Sequence, residues 1–193
     1  MKRSLRACLL LEGTYPYITG GVSAWVHDMI KGLPHVEFLL FTISPEANQK
    51  INYELPENVV KIKDVVISKT PESRAKPKNI KTFLQSLLKN HEFFLHNSVG
   101  DIESLIKAFP EGYNPYNDAV HADETWHLLE KTNRKHNPLY AFTDYFWAWK
   151  SAHQMMFNVL RAKLPEADLY HAVSTGFAGL AGLAAKFRKR KPF

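Results

Sequence analysis

Ala7-Cys8-Leu9-Leu10-Leu11-Glu12-Gly13-Thr14-Tyr15-Pro16-Tyr17-Ile18-Thr19-Gly20-Gly21-Val22-Ser23-Ala24-Trp25 is the stretch that decides the fold. Its first five residues form a short, continuous apolar run, as expected of a parallel strand buried on both faces. From there on, Val22, Trp25, Val26, Met29, Ile30 and Leu33 fall at i, i+3, i+4, i+7, i+8 and i+11, which predicts one apolar helical face. The order is therefore strand, glycine-containing loop, helix. Gly20 and Gly21, just ahead of the helix, let backbone N–H groups approach a phosphate with no Cβ in the way. A tight turn that needs glycine only for its own backbone is the plainer reading of the same pair.

Two common nucleotide motifs are excluded. A dinucleotide fold shows Gly-x-Gly-x-x-Gly on a tight turn and an acidic residue about 20 positions later. Here the glycines are Gly13, Gly20 and Gly21, and the next apolar run ends in Ser44-Pro45 with no acid at its tip. A Walker loop needs Gly-Lys-Ser/Thr, which is absent.

Working outward, residues 5–11 read as strand, 22–33 as helix and 36–43 as a second buried strand rich in Val, Phe, Leu and Ile. Residues 59–67 form a weaker third strand, with Val60 and Ile62 alternating against Lys61 and Lys63. Residues 68–79, with Pro71, Pro77 and many charges, predict a surface loop. From Ile80 the period becomes helical: Ile80, Phe83, Leu84, Leu87 and Leu88, then Ile102, Leu105 and Ile106. A turn cluster at 110–115 precedes helices over 123–135 and about 139–164, the latter with Phe142, Tyr145, Phe146, Trp149, Met156, Leu160 and Leu164 on one side. Residues 167–173 resume the strand pattern, and 174–176 form a turn in which Ser174 or Thr175 is available as an N-cap. Residues 177–188 form a small-residue helix. The sum is βαβ, a helical insertion over about 77–164, then βα: an α/β, Rossmann-like, doubly wound parallel sheet that is cut short where a next strand is due.

At 193 residues with 45% apolar content, the chain suffices for a single domain with a full core. Its single cysteine, Cys8, lies inside the first strand, so no disulfide framework exists within the chain, which fits a reducing cytoplasm. The basic start Met1-Lys2-Arg3 precedes an apolar run too short for a secretory core or a membrane span. Net charge is +6, carried by the first six residues, the span 61–89 and the tail 186–191. A nucleic-acid surface needs basic residues interleaved with exposed aromatics, whereas the aromatics here fall at helical core spacing, so no nucleic-acid partner is expected. Attraction of the tail to an anionic membrane surface is the lesser alternative. Of the nine histidines, the pairs His91/His96 and His121/His127 lack the i, i+3 or i, i+4 spacing that places ligands on one helix face, so no metal is expected.

Three segments together resemble the amino-terminal domain of PelF-type glycosyltransferases of Pel exopolysaccharide synthesis. They are Leu10 to Pro16 with Gly20 to Val26, Phe146-Trp147-Ala148-Trp149, and Asp168-Leu169-Tyr170-His171-Ala172-Val173-Ser174-Thr175-Gly176-Phe177-Ala178-Gly179. The resemblance covers essentially the whole chain. It implies the amino-terminal, acceptor-side half of a retaining GT-B enzyme that transfers a hexose from a UDP-sugar to a growing exopolysaccharide in the cytoplasm. It implies no cofactor beyond the donor substrate. The implied partners are the nucleotide-sugar donor, the glycan acceptor, a carboxyl-terminal donor domain outside this chain, and a membrane-bound polysaccharide-synthesis complex that would hold it peripherally at the inner membrane. The chain is thus expected to be a truncated product or fragment, inactive alone.

By the same resemblance, Gly20, Gly21 and Val22 face the donor diphosphate, with the helix presenting its positive amino end. His171 matches a strand-tip histidine that contacts the transferred sugar in related enzymes. There the tip often reads His-x-His, and here Val173 replaces the second histidine. A structural histidine at the sheet edge is the other reading, and Ser174 and Thr175 are alternative polar contacts. Such transferases stabilise a leaving diphosphate rather than use a carboxylate nucleophile, and the strand ends carry no paired carboxylates of the kind a glycosidase needs. A different class of function, a non-catalytic assembly module docking a partner through the aromatic helical insertion, stays open from the residues alone.

Overall fold

The computed structural model describes residues 4–68, 80–95, 101–109, 111–112, 114–136 and 139–193. Residues 1–3 of the basic start, 69–79 of the expected surface loop, Pro110 and Tyr113 of the turn cluster, and the side chains of His91 and His96 lie outside them. The chain divides into two compact units, Met1–Lys69 with Ala162–Phe193, and Thr70–Arg161.

The first unit is a four-stranded, all-parallel sheet in the order β3-β2-β1-β4. Strands β1 (Leu5–Glu12) and β2 (Val36–Ser44) are central and almost wholly buried, which is why both read as dominantly apolar. Burying each of Leu9, Leu10, Leu40 and Phe41 contributes about 2 kcal/mol. Strand β3 (Val59–Val66) is an edge and keeps a mixed pattern, with a register irregularity opposite Phe38 and Leu39. Strand β4 (Leu169–Ala172) pairs with β1 through Ala7↔Leu169, Cys8↔Tyr170, Leu9↔His171 and Leu10↔Ala172.

Helix α1 (Gly21–Gly32) covers the face that carries Ala7, Leu9, Leu11, Val36, Phe38 and Leu40, docking Val26 and Ile30. Its buried stripe is Ser23, Val26 and Ile30, which corrects the expected apolar face: Val22 and Trp25 stay about half exposed. A sheet covers one narrow arc of a helix, and here the wide apolar stripe overhangs it. Asn58 ties down the far end of α1, donating from Nδ2 to the carbonyls of Ile30, Leu33 and Val36 at 3.0, 3.1 and 3.2 Å. Helix α7 (Phe177–Lys189) packs on β1 and β4, with Ala178, Ala181, Gly182, Ala184 and Ala185 buried as its small-residue composition predicts. Beyond it the chain turns through Arg190 in the left-handed region and returns to β4. There the Pro192 carbonyl accepts from Tyr170 N–H at 3.0 Å, and the Phe193 ring fills the space a side chain at Gly182 would need.

The second unit carries α2 (Ile80–Leu95), α3 (Ile102–Ala108), α4 (Tyr116–Val120), α5 (Asp123–His136) and α6 (Phe142–Arg161). Its centre is an aromatic cluster of Phe83, Phe109 and Phe157, with ring centroids 5.3 to 5.7 Å apart. Phe157 is fully buried in that turn of α6, whereas the expected Met156 is only partly so. The helix is also shorter than the 139–164 span expected, ending before Pro165 is reached. The short α4 falls where the sequence indicated no element. Asp101 caps α3, its carboxylate accepting from Ser104 N at 3.1 Å.

Candidate functional site

Strand order places the site. The chain leaves β1 for β2 on one side and later returns to β4 on the other, so the β1/β4 boundary is where the winding reverses. In open α/β sheets the crevice beyond the carboxyl ends of strands at such a switch point is where ligands bind. The β1–α1 loop, with Gly20 and Gly21, and the β4–α7 turn, with Ser174, Thr175 and Gly176, are the two connections that leave it.

The β1–α1 loop is held from beneath. Gly13 takes φ +59, the left-handed region, and its N–H reaches the Ile43 carbonyl at 3.0 Å. Tyr15 drops fully into the core beside His27 and Tyr53, with its hydroxyl 3.3 Å from His27 Nδ1. Burial pushes the Tyr15 phenol up to about 12, with the nearby Tyr53 adding to it. Asn52 clasps the loop from the β2–β3 connection: its N–H meets the Pro16 carbonyl at 2.9 Å and its side-chain amide donates to the Tyr17 carbonyl. The Thr14 hydroxyl is buried with no partner among the described residues.

This anchoring leaves residues 18–22 exposed at the amino end of α1. Gly20 is the N-cap residue, with an extended backbone and no side-chain cap, and the first turn of α1 holds no acid. A Cβ placed on Gly20 or Gly21 would meet no protein atom within 4 Å. The protein's own packing therefore does not demand glycine at either position. The free N–H groups and the positive end of the helix dipole favour an anion there.

The other helix end differs. Neither Ser174 nor Thr175 caps α7, contrary to the expectation from sequence; the N-cap position is Gly176, with no side-chain bond of its own. The cap comes instead from Glu12 at the tip of β1, whose Oε2 accepts from Ala178 N at 3.2 Å and from the Ser174 hydroxyl at 3.3 Å. Gly176 makes room for it, since a Cβ there would lie 2.7 Å from that carboxylate. One helix end at the switch point thus carries an internal anion and the other carries none.

His171 is the penultimate residue of β4 and is exposed. Pairing with Leu9 places it on the α1 face, where its ring meets the edge of Trp25, centroids 6.2 Å apart. Val22 is half exposed in the first turn of α1, and Thr175 is exposed, its side chain making no hydrogen bond among the described residues. The structure thus pairs His171 with Trp25, and Ser174 with Glu12. Neither partner was legible as a site residue: Trp25 read as core from its spacing, and Glu12 as the residue that ends a strand.

A family profile described as "Domain of unknown function (DUF3492)" matches residues 5–193. The chain belongs to the DUF3492 family. No curated protein and no solved structure matches this DUF3492 chain. Among its described residues no three His, Cys, Asp or Glu side chains stand together as metal ligands would, and no helix is long and apolar enough to cross a membrane.

Proposed function

We propose that this DUF3492 chain is the amino-terminal lobe of a PelF-type, GT-B, retaining glycosyltransferase that uses a UDP-hexose to extend an exopolysaccharide. The observation that carries the reading is the contrast between the two helix ends at the switch point. The α7 end is neutralised by Glu12, whereas the α1 end keeps its N–H groups and dipole behind two side-chain-free residues. A diphosphate presented to the carboxyl edge of the sheet is therefore directed to Gly20, Gly21 and Val22. DUF3492 domains are found in the amino-terminal regions of GT-B glycosyltransferases, which supports the same reading.

In this mechanism, negative charge developing on the leaving diphosphate is met by the backbone N–H groups at residues 20–22 and by groups of a second, donor-binding domain. His171, steadied by Trp25, contacts the transferred sugar from the neighbouring strand. Ser174 acts through Glu12, fixing the β4–α7 turn, and Thr175 is the polar group of that turn turned to solvent. The lobe alone is not competent. The test is calorimetric titration of the chain with UDP and pyrophosphate, followed by assay of UDP-hexose turnover in a chain extended by its downstream reading frame. Absence of any diphosphate binding, together with absence of turnover in the extended chain, refutes the reading.

A second reading has its own observation. Trp126, Leu139, Tyr140 and Trp147 are all about half exposed or more within the helical unit. Such side chains suit a non-catalytic surface that docks a subunit of a membrane-bound polysaccharide-synthesis complex. Loss of association on replacing Trp147, with turnover retained, would identify that surface as additional to the transferase role.

A further inference from the structure

At the same end of the sheet, two strands away from β4, sits a second polar constellation with no role in the site above. Thr42 and Ser44 are two residues apart on β2, and Asp64 is the register partner of Thr42 on β3. Both residues are buried, at 2% and 1% exposure, at the end of a strand whose remaining residues, Glu37 apart, are apolar. Both donate to one atom, Asp64 Oδ1, at 2.6 and 2.5 Å. The Thr42 proton being committed to Asp64, the Tyr17 hydroxyl 3.3 Å away must donate to Thr42 Oγ1. The row is directional: Tyr17 to Thr42 to Asp64, with Ser44 converging on the same oxygen. Asp64 itself is exposed, and its second oxygen has no partner among the described residues.

Two buried hydroxyls, on a strand that valine would suit better, need hydrogen-bond partners, and Asp64 supplies them. Their convergence holds a surface carboxylate in one orientation with an open acceptor oxygen. No cationic side chain neutralises it among the described residues, and no second and third ligand stands by to make a metal site. A phosphate would be repelled. What such an oxygen recognises is a hydrogen-bond donor without negative charge, and the hydroxyls of a neutral sugar fit it. Strand alternation puts Asp64 on the face covered by α1, the face of Leu9 and His171. Two inter-strand spacings put β3 about 10 Å from β1, a sugar ring or two from the glycine loop. Tyr17 belongs to that loop, three residues before Gly20, so it joins the two places.

We propose that Asp64 is a binding residue for hydroxyl groups of the acceptor glycan, with Thr42, Ser44 and Tyr17 as its positioning residues. The proposal rests on the transferase reading of the chain. Its test uses the 193-residue chain and two kinds of probe: neutral trisaccharides (maltotriose and the N-acetylglucosamine trimer), followed by saturation-transfer NMR, and pyrophosphate, followed by calorimetry. The wild type is expected to bind at least one trisaccharide. Asp64→Asn keeps an acceptor for both hydroxyls and is expected to weaken that binding about tenfold or more while leaving pyrophosphate binding intact. Thr42→Val and Tyr17→Phe are expected to weaken it less, and they stand in should Asp64→Asn fail to fold. Unchanged trisaccharide affinity in folded variants, with only a lowered melting temperature, overturns the proposal, since that is the signature of a merely structural carboxylate. So does a wild type that binds pyrophosphate and no trisaccharide. A wild type that binds neither probe sinks the transferase reading instead.

Discussion

The Glu12 carboxylate at the tip of β1 accepts a hydrogen bond from the Ala178 amide at the start of α7, 3.2 Å away across 166 residues of sequence. It welds the first strand to the last helix. Glu12→Ala removes the side-chain cap of α7 and is expected to cost about 1 kcal/mol, or about 2–4 °C of melting temperature for a chain of this size. Glu12→Gln keeps an acceptor oxygen and is expected to recover most of it. Differential scanning calorimetry of the two variants checks the ordering, and equal stability in both would deny Glu12 its capping role.

Gly20→Val and Gly21→Val enter open space, so each is expected to change stability by no more than about 0.5 kcal/mol. Both should nevertheless weaken pyrophosphate binding about tenfold, by standing between the N–H groups and the anion. Thermal melts paired with calorimetric titration separate the two effects. Wild-type affinity in both variants would remove the loop from the site.

In the helical unit, Phe157→Ala empties a fully buried ring site among Phe83 and Phe109 and is expected to cost about 3–5 kcal/mol. Trp147→Ala, by contrast, removes a ring that is 58% exposed with the Lys150 ammonium 4.5 Å from its centroid, and is expected to shift stability by about 0.5 kcal/mol. Chemical denaturation of both variants decides this. A large loss at Trp147 would mean that the ring is core.

Burial pushes the Cys8 thiol up to about 12, against the lowering pull of Lys189. An unfolded thiol ionises near 8.5, so the folded state binds the proton more tightly. The sign follows: this contribution to stability is whole below about pH 8.5 and is lost as pH rises towards 12. Tyr15 adds the same sign of dependence only above about pH 10, where an unfolded tyrosine ionises. Between about pH 8.5 and 10 the melting temperature of the wild type is therefore expected to fall more steeply than that of Cys8→Ala. Iodoacetamide should label Cys8 in the native protein far more slowly than in denaturant, and equal rates would contradict its burial.

The central strands were legible because a parallel strand buried on both faces leaves an apolar run, as β1 does over 7–11 and β2 over 38–41. Helix α1 was legible as an element but not in its orientation. Periodicity reveals a stripe, whereas the sheet beneath chooses which part is covered, so Val22 and Trp25 emerged exposed and Ser23 buried. The slip from Met156 to Phe157 arises in a like way, from the helices α4 and α5 packed against α6. The partnership of Glu12 with Ser174 was beyond sequence reading because strand pairing makes it across 162 residues. Thr42 and Ser44 did leave a signal: they share parity with Val36, Phe38 and Leu40, so polar atoms had to enter a buried face.

The segment that follows α7 has a bearing on the margin of the sheet. A sheet margin with unpaired amides invites foreign polypeptide to zip onto it. Along β4 that invitation is blunted in mid-strand, where Pro192 already takes the Tyr170 amide while Phe193 is keyed into the notch at Gly182. Any neighbour joining there must first peel those two residues away.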